Sequence, residues 1–444
     1  MKIQILKYWD SIRSSFWFIP ITMAIGSMVL AFVALSIDIS MTEWLRSAFN
    51  WRFTGSVEGS SAVLGTIAGS MITITGVVFS MTLVALSLAS SQFGPRMLRN
   101  FMRDTTTQVV LGTFIATFIY SLIVLRNIRH TEETIVFTPH FSVSLGVTLA
   151  VVSLGVLIYF IHHVSISVQA NEIVMRVSKE LLEGIESLFL EEKEAEQDST
   201  EMPRGSYDNG FLKVFERDAY PVDATQDGYL QFIDYDALLT LAKQENVVLE
   251  LKRRPGHYAV AGRPLVMVWP AERVDDQLIV QLIAAFTLGN QRIPRQDIEC
   301  TINQLVEIAV RALSPGINDP FTAMTCVDRL GSALSRLSER KMPSPYRYDD
   351  EGELWLITPV VTFSAITDAA FDQIRQYAHS SAAVTIRLLE TIAVVVESAN
   401  RAEDRAALLR HAEMITKGAH KGLFEAQDRQ EVEQRYGVII QLLK

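Results

Sequence analysis

The sequence predicts an α-helical membrane domain of four transmembrane helices. A cytoplasmic α+β domain follows, with a small β-rich module and a mainly helical C-terminal part. Three observations carry this reading. Four long runs without a charged residue fall at 14–37, 59–95, 105–125 and 141–161. Residues 1–170 hold ten Lys/Arg and seven Asp/Glu, whereas 171–444 hold thirty and forty-three, so an apolar half precedes an acidic one. Beyond residue 210 the apolar spacing changes, first to short strands punctuated by Gly and Pro, then to helical stripes.

The first run follows Lys2, Lys7 and Arg13. It is too long for a signal-peptide core, and no small-residue cleavage site follows it, so it reads as a first span with Pro20 near its start. A loop with Trp44 and Trp51 as interfacial aromatics leads to the second run. That run, between Glu58 and Arg96, would measure about 55 Å as one helix, against about 30 Å of bilayer hydrocarbon. It is the stretch around which the bundle is expected to form.

Its hydroxyls are ordered. Thr66, Thr73, Ser80 and Ser87 recur every seven residues. Ser70 and Ser91 lie beside them on a row that Val77 and Val84 interrupt. A polar face on a membrane helix must meet protein or water, because lipid offers it no partner. These eight residues are the expected lining of a pore, with 71, 78 and 83 turned to lipid. Gly65 and Gly69 form a small-xxx-small pair that lets a second backbone approach. Glu58 and the basic set Arg96, Arg99 and Arg103 are the expected pore mouths.

The third run ends at Arg126 and the fourth at His162 and His163. The N-terminus and the loop after the second span each carry three basic residues, and the other loops two each, so the positive-inside rule places both termini in the cytoplasm. Helical character continues through 165–196. Domain bounds are therefore 1–165 for the membrane part, 166–210 for a stalk helix and polar linker, 211–272 for the β-rich module and 273–444 for the helical domain. Strands are expected near 229–234, 247–251, 258–261 and 265–269, and a hairpin joins 346–348 to 354–357. Helices near 368–399, 402–420 and 424–443 close the chain.

Catalytic and metal constellations are not found. No Walker loop, dinucleotide fingerprint, zinc motif or nucleophile elbow occurs, so neither an enzyme nor a cofactor is expected. Cys300 and Cys326 have neither a disulfide framework nor metal-ligand spacing. Adjacent side chains on a helix diverge by about 100°, so His162-His163 is a poor ligand pair and reads as interfacial. Lys252, Arg253, Arg254, His257 and Arg263 could form an anion pocket, but a solvated hairpin edge is the preferred reading. Asp234-x-Asp236 lacks the other ligands of a calcium loop. The acidic soluble half argues against nucleic acid.

Two stretches resemble a known family. Ser91-Gln92-Phe93-Gly94-Pro95-Arg96, and the run from Arg311 through Ala312, Leu313, Ser314, Pro315, Gly316, Ile317, Asn318, Asp319, Pro320, Phe321 and Thr322 to Ala323, are similar to the bacterial membrane-protein family called domain of unknown function 2254. Gly228-Tyr229-Leu230-Gln231 with Asp234 also fits. The resemblance implies a bacterial inner-membrane protein and brings no established activity with it. In the second stretch Arg311, Ser314, Pro315, Gly316, Asn318, Asp319 and Pro320 are read as a structural motif. Ser-Pro-Gly stops one helix, Asp319 caps the next, and Pro320 is its first residue.

The expected function is that of a homo-oligomer in the lipid bilayer conducting ions or small solutes, its cytoplasmic domain fixing and gating the assembly. The alternative is a non-conducting scaffold or sensor whose cytoplasmic domain binds a ligand or partner.

Overall fold

The computed structural model describes residues 16–40, 57–94, 104–128, 139–189, 215, 217–349 and 351–444. Trp44, Trp51, Arg96, Arg99, Arg103 and the acidic stretch from 190 lie outside the described residues. The chain divides into two compact units, Met1–Glu172 and Ile173–Lys444.

The first unit contains α1 (Phe18–Ser40), α2 (Val57–Phe93), α3 (Thr105–Asn127) and α4 (His140–Ser167). All four are long and apolar enough to cross a membrane. The hub of this unit is α3 and not α2. Of the central apolar stretch of α3, 50% is buried, against 11% of that of α2. The reason lies in small and polar residues. A Cβ on Gly112 would come within 2.5 Å of Met23 Sδ and 3.3 Å of Pro20 Cα, so α1 and α3 approach closely there. Thr117 and Ser153 share a buried hydroxyl–hydroxyl bond of 3.0 Å between α3 and α4. The Tyr120 hydroxyl donates to the Ser142 carbonyl at 2.9 Å. Such bonds hold helices together where lipid competes for apolar surface.

Asp38, in the last turn of α1, is buried and caps α4. Its oxygens accept from Phe141 N at 3.0 Å and from Ser142 N at 2.9 Å, and the Ser142 hydroxyl donates at 2.5 Å. A carboxylate at a helix N-terminus meets unpaired N–H groups and the positive end of the dipole.

The single helix expected through 165–196 breaks at Val168 and Gln169, and α5 (Ala170–Leu188) follows. The hydroxyls of Ser165 and Ser167 donate to the carbonyls of Ile161 and His163, a back-bonding that loosens a helix at its last turn.

In the second unit, Leu181 and Ile185 of α5 are buried. They meet Ile298, Ile302, Leu330 and Ile366 around a small gap. Glu186 pairs with Arg336 at 3.0 Å, and the Phe189 carbonyl accepts from Arg340 at 3.1 Å.

The sheet elements are β1 (Tyr220–Asp223), β2 (Gly228–Ile233), β3 (Val248–Leu251), β4 (Tyr258–Ala259), β5 (Pro264–Trp269), β6 (Phe286–Gly289), β7 (Tyr346–Tyr348) and β8 (Leu354–Ile357). They form a five-stranded sheet, β1-β5-β3-β8-β7, and a three-stranded sheet, β4-β2-β6. The β7–β8 hairpin joins the first sheet by parallel pairing, Leu249 opposite Leu356. With α6 (Tyr235–Glu245) and α7 (Asp276–Ala284), the sheets enclose a core of Leu230, Ile233, Leu238, Leu249, Val266, Leu282 and Leu356.

The remaining helices are α8 (Ile298–Ala312), α9 (Pro320–Ser338), α10 (Phe363–Ala378), α11 (Ala382–Ser398), α12 (Ala402–Gly422) and α13 (Ala426–Leu443). The helix expected over 368–399 is two, parted at 379–381. The parting admits α12: a Cβ on Gly422 would collide with the His379 carbonyl oxygen.

Candidate functional site

The eight residues of the hydroxyl row lie on one surface of α2. Thr66, Ser70, Thr73, Val77, Ser80, Val84, Ser87 and Ser91 are all exposed in the single chain. Gly69 and Gly76 share the exposed face, and a Cβ at Gly65, Gly69 or Gly76 would meet nothing within 4 Å. Glu58 is exposed in the first turn of the same helix.

The opposite side of α2 corrects the expectation for 71 and 78. Met71 and Val78 are buried, packed with Val110, Leu111, Phe114 and Phe160; Leu83 is exposed. With Leu64 they form a buried seam that itself repeats every seven residues. The heptad spacing therefore belongs first to packing inside the chain. Thr66 follows Leu64 by two residues, or about 200° of helix, so the hydroxyl row is turned away from that seam.

The hydroxyls differ in what they bond. Thr66 donates to the Ala62 carbonyl at 2.7 Å, Thr73 to Gly69 at 2.8 Å and Ser91 to Leu88 at 2.9 Å. Ser70, Ser80 and Ser87 make no hydrogen bond among the described residues. Between them Val77 and Val84 stand 54% and 66% exposed, two apolar rungs in a polar row.

At one end of the bundle lies a site that the sequence reading did not single out. Asp104 is the N-cap of α3, accepting from Thr106 N and Thr107 N at 3.3 Å each and from the Thr107 hydroxyl at 2.6 Å. Its Oδ2 lies 2.9 Å from His163 Nε2. The two histidines thus separate: His162 is exposed, and His163 is half-buried and paired. The signal was present as an Asp before three threonines, a strong capping sequence, but its partner is 59 residues away.

In the second unit the stretch 311–323 joins α8 to α9. Asp319 Oδ1 accepts from Thr322 N at 3.1 Å and Oδ2 from the Thr322 hydroxyl at 2.5 Å. Pro320 occupies the first turn. The Ser314 hydroxyl donates to the Arg311 carbonyl at 2.6 Å, and the backbone N–H groups of Ile317 and Asn318 donate to the Ser314 carbonyl. Asn318 turns the chain at φ 50°, a region Asn tolerates better than most residues. The Arg311 side chain lies 3.5 Å from Glu307. Pro315 and Gly316 are exposed, as are Ile317 and, at 75%, Phe321.

The basic hairpin forms no open anion pocket around Arg254, which donates to Glu299 at 2.7 Å beside a bidentate pair of Arg292 with Asp297. Burial first, then Arg254, pushes His257 below its ordinary value, so it adds no cation there. Lys252 pairs with Glu250 at 2.7 Å, and Arg253 and Arg263 are exposed. Asp234 caps α6 through Ala237 N at 3.0 Å. Among the described residues no group of three His, Cys, Asp or Glu side chains could hold a metal ion.

Residues 13–394 match the model of the family described as predicted membrane protein (DUF2254). An uncharacterized protein of Mycobacterium tuberculosis is 32% identical over 382 residues, which cover 85% of this chain and 71% of the relative. An uncharacterized protein of Mycobacterium bovis matches with the same identity and coverage. No solved structure matches.

Proposed function

Because the chain belongs to the predicted membrane protein family DUF2254, we propose that it acts in the bacterial inner membrane as a homo-oligomeric channel for ions or small solutes, with the free face of α2 from each copy lining the path. The observation that carries this reading is the placement of the hydroxyl row. It occupies a face of the least covered of the four apolar helices, and Ser70, Ser80 and Ser87 on it have no hydrogen-bond partner among the described residues. Copies packed around an axis give those groups water or one another, where lipid gives them nothing. Gly65, Gly69 and Gly76 leave room for a neighbouring backbone. Val77 and Val84 form the narrow apolar section, of the kind that gates by dewetting.

In this reading both termini are cytoplasmic, and the second unit fixes and gates the assembly. Its exposed loop at Ile317 and Phe321 is the contact between copies. Glu58 stands at the outer mouth. Arg96, Arg99 and Arg103 are assigned the inner mouth from sequence alone. No catalytic step is assigned.

A second reading, a non-conducting scaffold or sensor, is favoured by one observation. Thr66, Thr73 and Ser91 already donate within their own helix, which suits a dry interface as well as a wet one. Purified protein in a planar bilayer separates the two. The channel reading expects unitary currents that Val77→Ser or Val84→Ser makes more frequently open. A correctly assembled protein that carries no current supports the scaffold.

A further inference from the structure

A pocket of about 170 Å³, open on the side of the exposed Trp17, Phe79 and Leu83, lies in the first unit where α1 and α3 begin and α4 ends. Phe16, Trp17, Phe79, Asp104, Thr107 and His163 line it, with aliphatic side chains of α2 and α4 between them. We propose that it is a binding site for a small lipophilic organic cation, an ammonium carrying about one ring of apolar atoms, held between the Asp104 carboxylate and the rings of Phe16, Trp17 and Phe79.

Size sets the first limit. An apolar protein cavity of about 150 Å³ holds one benzene, so this cavity takes one ring and a short head. The sign of the charge sets the second. Among the described residues of the lining, Asp104 is the one acid and His163 the one other titratable side chain. The N-termini of α1 and α3 and the C-terminus of α4 add about half a unit each, two positive and one negative, and so leave the sign to the carboxylate. An anion would face Asp104, and the described residues of the lining include no Lys or Arg to offset it.

The carboxylate has capacity to spare. Oδ2 takes Thr107 N, the Thr107 hydroxyl and His163, whereas the one partner described for Oδ1 is Thr106 N at 3.3 Å. His163 is steadied by stacking on Tyr159 at 6.0 Å, which keeps its Nε2 on Oδ2. Aromatic faces attract a cation through their quadrupole, the more so where water is excluded. An inorganic divalent ion is a poor match, since among the described residues the lining offers one carboxylate beside neutral hydroxyls and no group of three His, Cys, Asp or Glu side chains. The proposal does not depend on the pore reading.

The test uses the full chain in lipid nanodiscs at neutral pH, with equilibrium dialysis of radiolabelled benzylammonium, benzyl alcohol and benzoate. Empty nanodiscs correct for partitioning. These probes share a ring and differ in head charge. Saturable binding is expected in the order benzylammonium, benzyl alcohol, benzoate. Asp104→Asn keeps a good N-cap and should weaken benzylammonium roughly ten- to a hundredfold, the loss of one charge-assisted bond, while sparing benzyl alcohol. Ala85→Phe, which fills the cavity, should remove saturable binding of both. Phe79→Ala provides a variant that leaves the cap untouched, and it should cost benzylammonium several-fold more than benzyl alcohol. Benzoate binding as tightly as benzylammonium overturns the proposal. So does uptake no different from empty nanodiscs, or an unchanged benzylammonium preference in both Asp104→Asn and Phe79→Ala.

Discussion

Asp319→Ala tests the structural reading of the motif between α8 and α9. The substitution removes two bonds at once. Loss of the cap to Thr322 N costs about 0.5–2 kcal/mol. The Thr322 hydroxyl, in a residue only 8% exposed, also loses its acceptor, which costs about 0.5–1.5 kcal/mol more. The sum, about 1–3.5 kcal/mol, lowers the melting temperature of a unit this size by roughly 3–10 °C. Cys300 and Cys326 make the assay specific, because both are buried cysteines of the second unit outside any disulfide. A thiol-reactive dye added to the purified full chain during heating therefore reports the unfolding of this unit. Asp319→Asn should melt close to the parent, since Asn also caps and keeps an oxygen on Thr322 N. Asp319→Ser should recover most of the loss. An Asn variant as destabilised as the Ala variant would refute the capping account.

Three further expectations follow from the same structure. His411 is fully buried, with Nε2 2.7 Å from Asp368 and Nδ1 lacking a partner among the described residues. Burial pushes its pKa below the ordinary 6.5, although Asp368 and Asp372 pull the other way. The unfolded chain then binds a proton that the folded chain refuses, so this contribution to stability is full above about pH 6.5 and is lost as pH falls below it. The melting temperature of His411→Gln should accordingly depend less on pH between 7.5 and 5.5 than that of the parent. A fragment of residues 173–444 should be more resistant to urea than one of 210–444, which lacks Leu181 and Ile185, since each buried aliphatic is worth about 1.5–3 kcal/mol; equal midpoints would contradict the packing described for α5. A reporter fused after Lys444 should be cytoplasmic, and a periplasmic signal would overturn the four-span topology.

Much of this architecture was legible because its signals are local. The four uncharged runs became α1 to α4, since a span needs only length and apolarity. The strands near 229–234 and 265–269 came from Gly/Pro punctuation. What escaped was non-local. The parallel pairing of Leu249 with Leu356 joins residues more than a hundred positions apart. The hub role of α3 rests on Gly112, Thr117 and Tyr120 meeting other helices, which no periodicity in its own sequence announces. The heptad of α2 is visible in its hydroxyls, but the sequence does not announce the second heptad beside it: Leu64, Met71 and Val78 carry the packing inside the unit, and the hydroxyls lie on the face that packing leaves outside. His163 was read together with His162, although only its distant partner Asp104 distinguishes it.

The wet face of α2 is the central claim, and cysteine accessibility tests it most directly. Single cysteines at 66, 73, 80 and 87, in a chain with Cys300 and Cys326 replaced, are exposed to a small water-soluble thiol reagent in intact membranes. Met71→Cys and Val78→Cys, inside the bundle, serve as protected controls. The account predicts rapid labelling at all four hydroxyl positions and none at the two controls. Protection at all four, equal to that of the controls in an assembled protein, would place the face against lipid or in a dry interface and would contradict the pore.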